Sequence, residues 1–156
     1  MARRELPGGF ELDDDPARVD VGAVHAFVSR DSYWGRGRPR EQVERAIAGS
    51  TRVVGLYHGT RMVGFARAVS DTAVMAYLAD VYVEAGHRGG GLGLELVREM
   101  VDRGPLKDLS WLLNTADAGG LYERLGFSAA CRYPPMERRG PAGEGGAPGG
   151  ETDTRR

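Results

Sequence analysis

Val81-Tyr82-Val83-Glu84-Ala85-Gly86-His87-Arg88-Gly89-Gly90-Gly91-Leu92-Gly93 runs straight into Leu94-Glu95-Leu96-Val97-Arg98-Glu99-Met100-Val101. A β-type run enters a glycine loop, and the loop opens an amphipathic helix. Gly89, Gly90, Gly91 and Gly93 leave backbone N–H groups bare of side chains. The helix start adds its own unpaired N–H groups and a partial positive charge. Such a turn binds anions, a phosphate or pyrophosphate above all.

Working outward, Phe10 to Leu12 reads as a short first strand. Val21, Val24, Phe27 and Val28 recur at helical spacing and predict a helix from Asp20 to Ser29. A glycine-punctuated aromatic and basic loop, Arg30 to Arg38, follows. Pro39 suits the first turn of a second helix, with Val43, Ala46 and Ile47 as its apolar stripe and its end near Gly49. Thr51 to Tyr57 and Arg61 to Val69 flank His58-Gly59-Thr60, a hairpin signal. Ala76 to Val83 is the next strand, and the helix after it spans Gly91 to Asp102, ended by Gly104-Pro105. Leu109 to Asn114 reads as a buried strand. Asp117 is placed to N-cap a short helix through Leu125. Gly126 breaks that helix, and Phe127 to Tyr133 reads as a last strand. Residues 1–139 form one expected domain. Residues 140–156, rich in Gly, Pro, Glu and Arg without a hydrophobic anchor, are expected to be a disordered tail.

The 156 residues carry a net charge of −1, so no bulk field favours nucleic acid or an anionic membrane. Lys107 is the only lysine, and the arginine bias reads first as base composition of the source genome. Cys131 is the only cysteine, which excludes an intramolecular disulfide and a cysteine metal cluster. His25, His58 and His87 show no metal-ligand spacing, so no metal is expected. Met1 to Pro7 lacks the apolar segment of a signal peptide. A cytoplasmic chain is the expectation.

Three phosphate readings compete for the loop. A nucleotide P-loop needs Lys-Ser or Lys-Thr after its last glycine, and Leu94-Glu95 stands there instead. A dinucleotide fingerprint needs a third glycine where Leu96 stands. The third pattern, Arg/Gln-x-x-Gly-x-Gly/Ala after a strand, fits Arg88-Gly89-Gly90-Gly91-Leu92-Gly93 at every fixed position. With Val81-x-Val83 before it, with Leu121-Tyr122-Glu123-Arg124-Leu125-Gly126-Phe127 after it, and with this element order, the chain resembles the GCN5-related N-acetyltransferase (GNAT) superfamily. The likeness covers Phe10 to Tyr133.

The resemblance implies an α/β acyl-CoA N-acyltransferase fold, with a mixed, mostly antiparallel central sheet flanked by helices. It implies acetyl-CoA as co-substrate and a primary amine of a small molecule as acceptor. The backbone of Val81, Tyr82 and Val83 would pair with the pantetheine arm. The amides of Gly89, Gly90, Gly91, Leu92, Gly93 and Leu94 would hold the pyrophosphate, with Arg88 orienting the loop and Asp117 near the CoA arm. The thioester would sit where the Ala76 and Leu109 strands splay. Tyr122 matches the tyrosine that protonates the leaving thiolate, and the Val81 N–H is the implied oxyanion donor. The resemblance leaves room for a homodimer, for which no residue argues.

Amine acylation also needs a base, since an alkyl amine of pKa ~10 arrives protonated. Relatives carry Glu or His on the strand face of Val81 and Val83. Counting back by twos gives Ala79 and Tyr77, neither a usual base. Asp80 is the remaining acid. Parity points it to the other face unless a bulge turns it, which favours a structural hydrogen bond over catalysis. Asp31, Asp71, Glu84 or a water chain are the alternatives. For the acceptor, Tyr33 and Trp34 form a candidate aromatic wall with Tyr77, and Asp31 a partner for the amine. Arg36 and Arg38 would instead suit a carboxylate. A non-catalytic acyl-CoA sensor and a protein N-acetyltransferase remain the alternatives.

Overall fold

The computed structural model describes residues 2–140, and residues 141–156 of the expected tail 140–156 lie outside them. Six strands form one sheet in sequence order: β1 (Arg3–Leu6), β2 (Phe10–Asp13), β3 (Arg52–His58), β4 (Arg61–Ser70), β5 (Met75–Val83) and β6 (Ser110–Leu112). Every neighbouring pair is antiparallel except β5–β6, which is parallel. The mixed, mostly antiparallel α/β architecture is as expected.

Four α-helices flank the sheet: α1 (Val21–Ala26), α2 (Arg40–Ala48), α3 (Leu92–Val101) and α4 (Gly119–Glu123). Asp20 caps α1 by accepting from the Ala23 N–H. One face of the sheet buries Leu12, Val54, Leu56, Ala66, Ala68, Leu78 and Val81 against Leu96, Val97 and Met100 of α3. The other buries Val53, Tyr57, Phe65 and Tyr82 against Val24, Phe27, Val28 and Val43 of α1, its extension and α2. Alternating strand residues feed two cores, and this alternation fixes the register.

Four expectations need correction. Arg3–Leu6 is a strand that the sequence reading omits. Its residues are mostly exposed, so no apolar alternation announces it. The turn at Gly8 and Gly9, both at positive φ, closes the hairpin, and Arg3–Glu11 and Arg4–Glu99 ion pairs hold it. The strand near Leu109 shrinks to three residues and is an exposed edge, not a buried one. Phe127 to Tyr133 is irregular. Finally, the N-cap position of α4 is Ala118 rather than Asp117. The expected helix of Asp20 to Ser29 is α1 continued by a π turn, Phe27–Asp31.

Arg52 staples the two layers. It is 6% exposed, reaches the carbonyls of Glu99 and Arg103 at 2.8 and 2.9 Å at the end of α3, and pairs with Asp14 at 3.1 Å. It thus satisfies carbonyls that a helix end leaves open. Replacing it removes several buried charge-assisted bonds together. Arg52→Met is expected to cost about 3 kcal/mol in urea unfolding. Arg40→Ala, which breaks the exposed Arg40–Glu44 pair, is expected to cost under about 0.5 kcal/mol.

Candidate active site

β5 bends where the site forms. Arg67 of β4 faces Ala79 and Phe65 faces Tyr82, so one β4 residue spans two of β5. Asp80 occupies this bulge at φ 49°, in the left-handed region that Asp tolerates better than most residues. The extra residue reverses the parity. Ala76 and Leu78 before it share a core with Val81 and Val83 after it. Counting back by twos therefore picks the wrong face: Ala79 and Tyr77 lie opposite Val81 and Val83.

The Asp80 carboxylate is buried and fully engaged. Trp34 Nε1 donates to Oδ1 at 2.8 Å, Arg38 Nη1 reaches both oxygens at 3.2 and 3.1 Å, and Arg67 Nε donates to Oδ2 at 2.7 Å. Burial alone would raise its pKa. The charges of Arg67 and Arg38, with the bonds from Arg67 and Trp34, outweigh that and hold it below the ordinary carboxylate value. An acid held this way is a poor proton acceptor. It is a strong anchor for the loop between α1 and α2. Trp34, 2% exposed, is consequently a core side chain rather than a wall open to solvent. Tyr33 packs edge-on against it and is partly exposed, and Asp31 is exposed at the end of the π turn.

Around the bulge the sheet opens. The β5–β6 ladder holds only Met75–Ser110, Ala76–Trp111 and Tyr77–Leu112. From Leu78 to Val83, β5 has no strand partner on that side among the described residues. Tyr77 accepts from Asn114 Nδ2 and Tyr33 accepts from the Ala116 N–H, each at 2.9 Å. The chain leaving β6 is thus tied to both tyrosines. Val81, Tyr82 and Val83 are buried on the open stretch, and Tyr82 stacks on Phe27 with centroids 4.0 Å apart.

The glycine loop lies at the end of this opening. Gly89 and Gly91 take φ of 87° and 80°, and a Cβ on Gly89, Gly90 or Gly91 would meet nothing within 4 Å. Gly91 is the N-cap of α3, so Leu92, Gly93 and Leu94 present the open N–H groups of a ten-residue helix. Arg88 Nε donates to the Val83 carbonyl at 2.8 Å, which fixes the loop to the strand. A cleft of about 520 Å³ results, lined by Val83, Arg88, Gly89, Gly91, Gly93, Leu94 and Asp117, and closed by Ala118, Gly120, Leu121 and Arg124. A bare cradle with a helix N-terminus and two arginines fits a pyrophosphate. Arg124 is a cleft residue that the sequence reading overlooks, although it stands inside the Tyr122 to Phe127 motif.

Tyr122 lies on α4, 2% exposed, edge-on to Phe127 at 5.8 Å. It lines a second cavity of about 600 Å³ with Asn114, Thr115, Trp111, Lys107 and Cys131, and not the glycine cleft. α4 is the wall between the two spaces. The other acids lie elsewhere: Asp71 accepts three backbone N–H groups in the β4–β5 turn, and Glu84 pairs with Arg61. Among the described residues no cluster of three metal-ligating side chains occurs, and no helix is long and apolar enough to cross a membrane.

Asp80→Asn keeps a residue that tolerates positive φ and removes only the charge. It is expected to cost about 3 kcal/mol at pH 7. A depressed carboxylate pKa stabilises the fold above the unfolded value of ~3.9 and loses that contribution as pH falls through the folded value. The melting-temperature gap between the two proteins should therefore be full at neutral pH and narrow only below about pH 4.

The sequence matches the profile of the acetyltransferase (GNAT) family over residues 29–127. A GNAT-family protein of Xanthomonas campestris pv. campestris is 36% identical, with a TM-score of 0.77 across 88% of this chain and 96% of that one. An acetyltransferase-named structure from Deinococcus radiodurans superposes with a TM-score of 0.69 at 25% identity, over 87% and 92% of the two chains. FG08082 of Gibberella zeae, also named as an acetyltransferase, is 30% identical over 69% of this chain and 73% of its own. A Glycine max protein named histone acetyltransferase TAP1 is 33% identical over 71% of this chain, and the match spans 53% of the plant protein. Profile, sheet and glycine cradle agree, and the chain belongs to the acetyltransferase (GNAT) family.

Proposed function

We propose that this chain is an N-acetyltransferase that moves an acetyl group from acetyl-CoA to a primary amine of a small molecule, by direct attack in a ternary complex. The observation that supports it most is the bare glycine cradle at the start of α3, opening beside the unpaired half of β5. Bound acetyl-CoA supplies an acyl group activated as a thioester; the amine nitrogen takes the acyl group, and the thiol leaves with a proton. The protein's part is to hold and orient. Loop amides and Arg88 bind the pyrophosphate, with Arg124 beside them. The Val81 N–H donates to the carbonyl oxygen as charge grows there. We assign Tyr122 as the proton donor to the departing sulfur, which requires the pantetheine arm to pass from the glycine cleft around α4 into the cavity that Tyr122 lines. The amine loses its own proton through water, because Asp80 is committed to its arginines.

That commitment favours one rival, a CoA-binding sensor without turnover. A protein acceptor, as the name of the Glycine max relative suggests for that protein, is another. An amine screen that follows CoA release by chromatography separates them. Turnover on small amines supports the proposal. Tight CoA binding with no turnover on any amine or peptide supports the sensor. In an active enzyme, Tyr122→Phe is expected to lower kcat about 100-fold with CoA affinity unchanged. Intact mass after acetyl-CoA alone should show no added acetyl group, whereas an acylated Cys131 contradicts direct attack.

Gly93 lines the cleft at an ordinary helical position, where an added Cβ would meet Leu121 at 3.5 Å. Gly93→Leu favours the helix but fills the cradle. It is expected to keep or raise the melting temperature and weaken CoA binding at least about tenfold by calorimetry.

A further inference from the structure

Arg38 and Arg67 are 4% and 9% exposed, and among the described residues the only carboxylate within ion-pair distance of either is Asp80. Guanidinium groups stay charged at any working pH. One carboxylate neutralises one of them, so the cluster holds an uncompensated positive charge at low dielectric. Independently, Arg38 Nη2 is buried with no hydrogen-bond acceptor. Buried charges and donors of this kind are normally matched. The mismatch is that of a site completed by an anion.

Its place is specific. Arg67 faces Ala79, two register positions beyond the Val69–Tyr77 pair, and Tyr77 is the last β5 residue paired to β6. Arg67 therefore sits where the sheet begins to open, on the face that carries α1 and α2. Ala79 offers only a methyl there. The loop above contributes Arg30, Arg36 and Arg38 against Asp31. We infer that the acceptor amine carries an anionic group, a carboxylate or a phosphate, and that Arg67, backed by Arg38, binds it. The inference rests on the acetyltransferase reading and narrows its substrate class. A lysine side chain of a basic peptide would meet like charge at the same place.

Matched acceptors test it on the full chain with saturating acetyl-CoA and products read by mass spectrometry. Phenylalanine is set against phenethylamine, phosphoethanolamine against ethanolamine, and a lysine peptide beside them. The anionic member of at least one pair should show kcat/KM at least about tenfold higher, expressed in KM, and the two pairs tell carboxylate from phosphate. Arg67→Gln leaves Asp80 one guanidinium and a balanced cluster. It should bring that ratio close to one with CoA affinity unchanged, and Arg67→Lys should retain part of it. Preference for the neutral amines or the peptide, or an unchanged ratio in Arg67→Gln, overturns the inference. If CoA binds but nothing is acetylated, the acetyltransferase reading fails separately. Thermal shifts with CoA and each pair then decide: stabilisation specific to the anionic member and lost in Arg67→Gln supports the site, and equal shifts overturn it.

Discussion

One carboxylate ties the loop between α1 and α2 to the central strands β4 and β5. Asp80 stands in the β5 bulge, directly before the Val81-Tyr82-Val83 stretch, and takes bonds from Trp34, Arg38 and Arg67. Trp34 and Arg38 belong to the loop between α1 and α2, and Arg67 to β4. Removing Asp80 would leave two buried guanidinium groups without a counter-charge, so the network depends on this carboxylate. The bulge that carries Asp80 also turns Val81 and Val83 toward the α3 core. The conformation of one residue thus sets which side chains of β5 face α3 and which face α1 and α2.

The glycine cleft relies on the opposite strategy, the absence of side chains. Gly89 and Gly91 need positive φ, and the space above Gly89, Gly90 and Gly91 is empty. α3 earns its stability elsewhere, from Leu96, Val97 and Met100 in the core and from the Arg52 bonds at its far end. Its first turn can therefore keep open N–H groups for an anion. Charge is distributed in the same sense: Arg88 and Arg124 border the cradle, while Arg67 and Arg38 border the sheet opening.

The sequence was most legible where one local rule decides. The glycine spacing defined the loop, and alternating Val, Leu and Tyr defined β3, β4 and β5. The family assignment followed from these, and the profile and fold comparisons agree with it. Legibility failed where a distant partner decides. Arg3–Leu6 is a strand through its ladder with β2, not through its own pattern. The Asp80 bulge inverts a parity that period-two counting takes as continuous. Trp34 looks like a loop aromatic in sequence, yet it packs into the core under α1 and α2 and donates to Asp80, 46 residues away. Arg67 had no local signal, because its meaning depends on sharing one carboxylate with Arg38.

The central claim is that the glycine loop and the open half of β5 together bind CoA. Amide chemical-shift mapping on titration with CoA tests it residue by residue. The account predicts the largest shifts at Gly89 to Leu94 and at Val81 to Val83, with little change in the β4–β5 turn near Asp71. Saturating CoA that leaves the glycine amides unmoved, or that shifts a different surface, contradicts it.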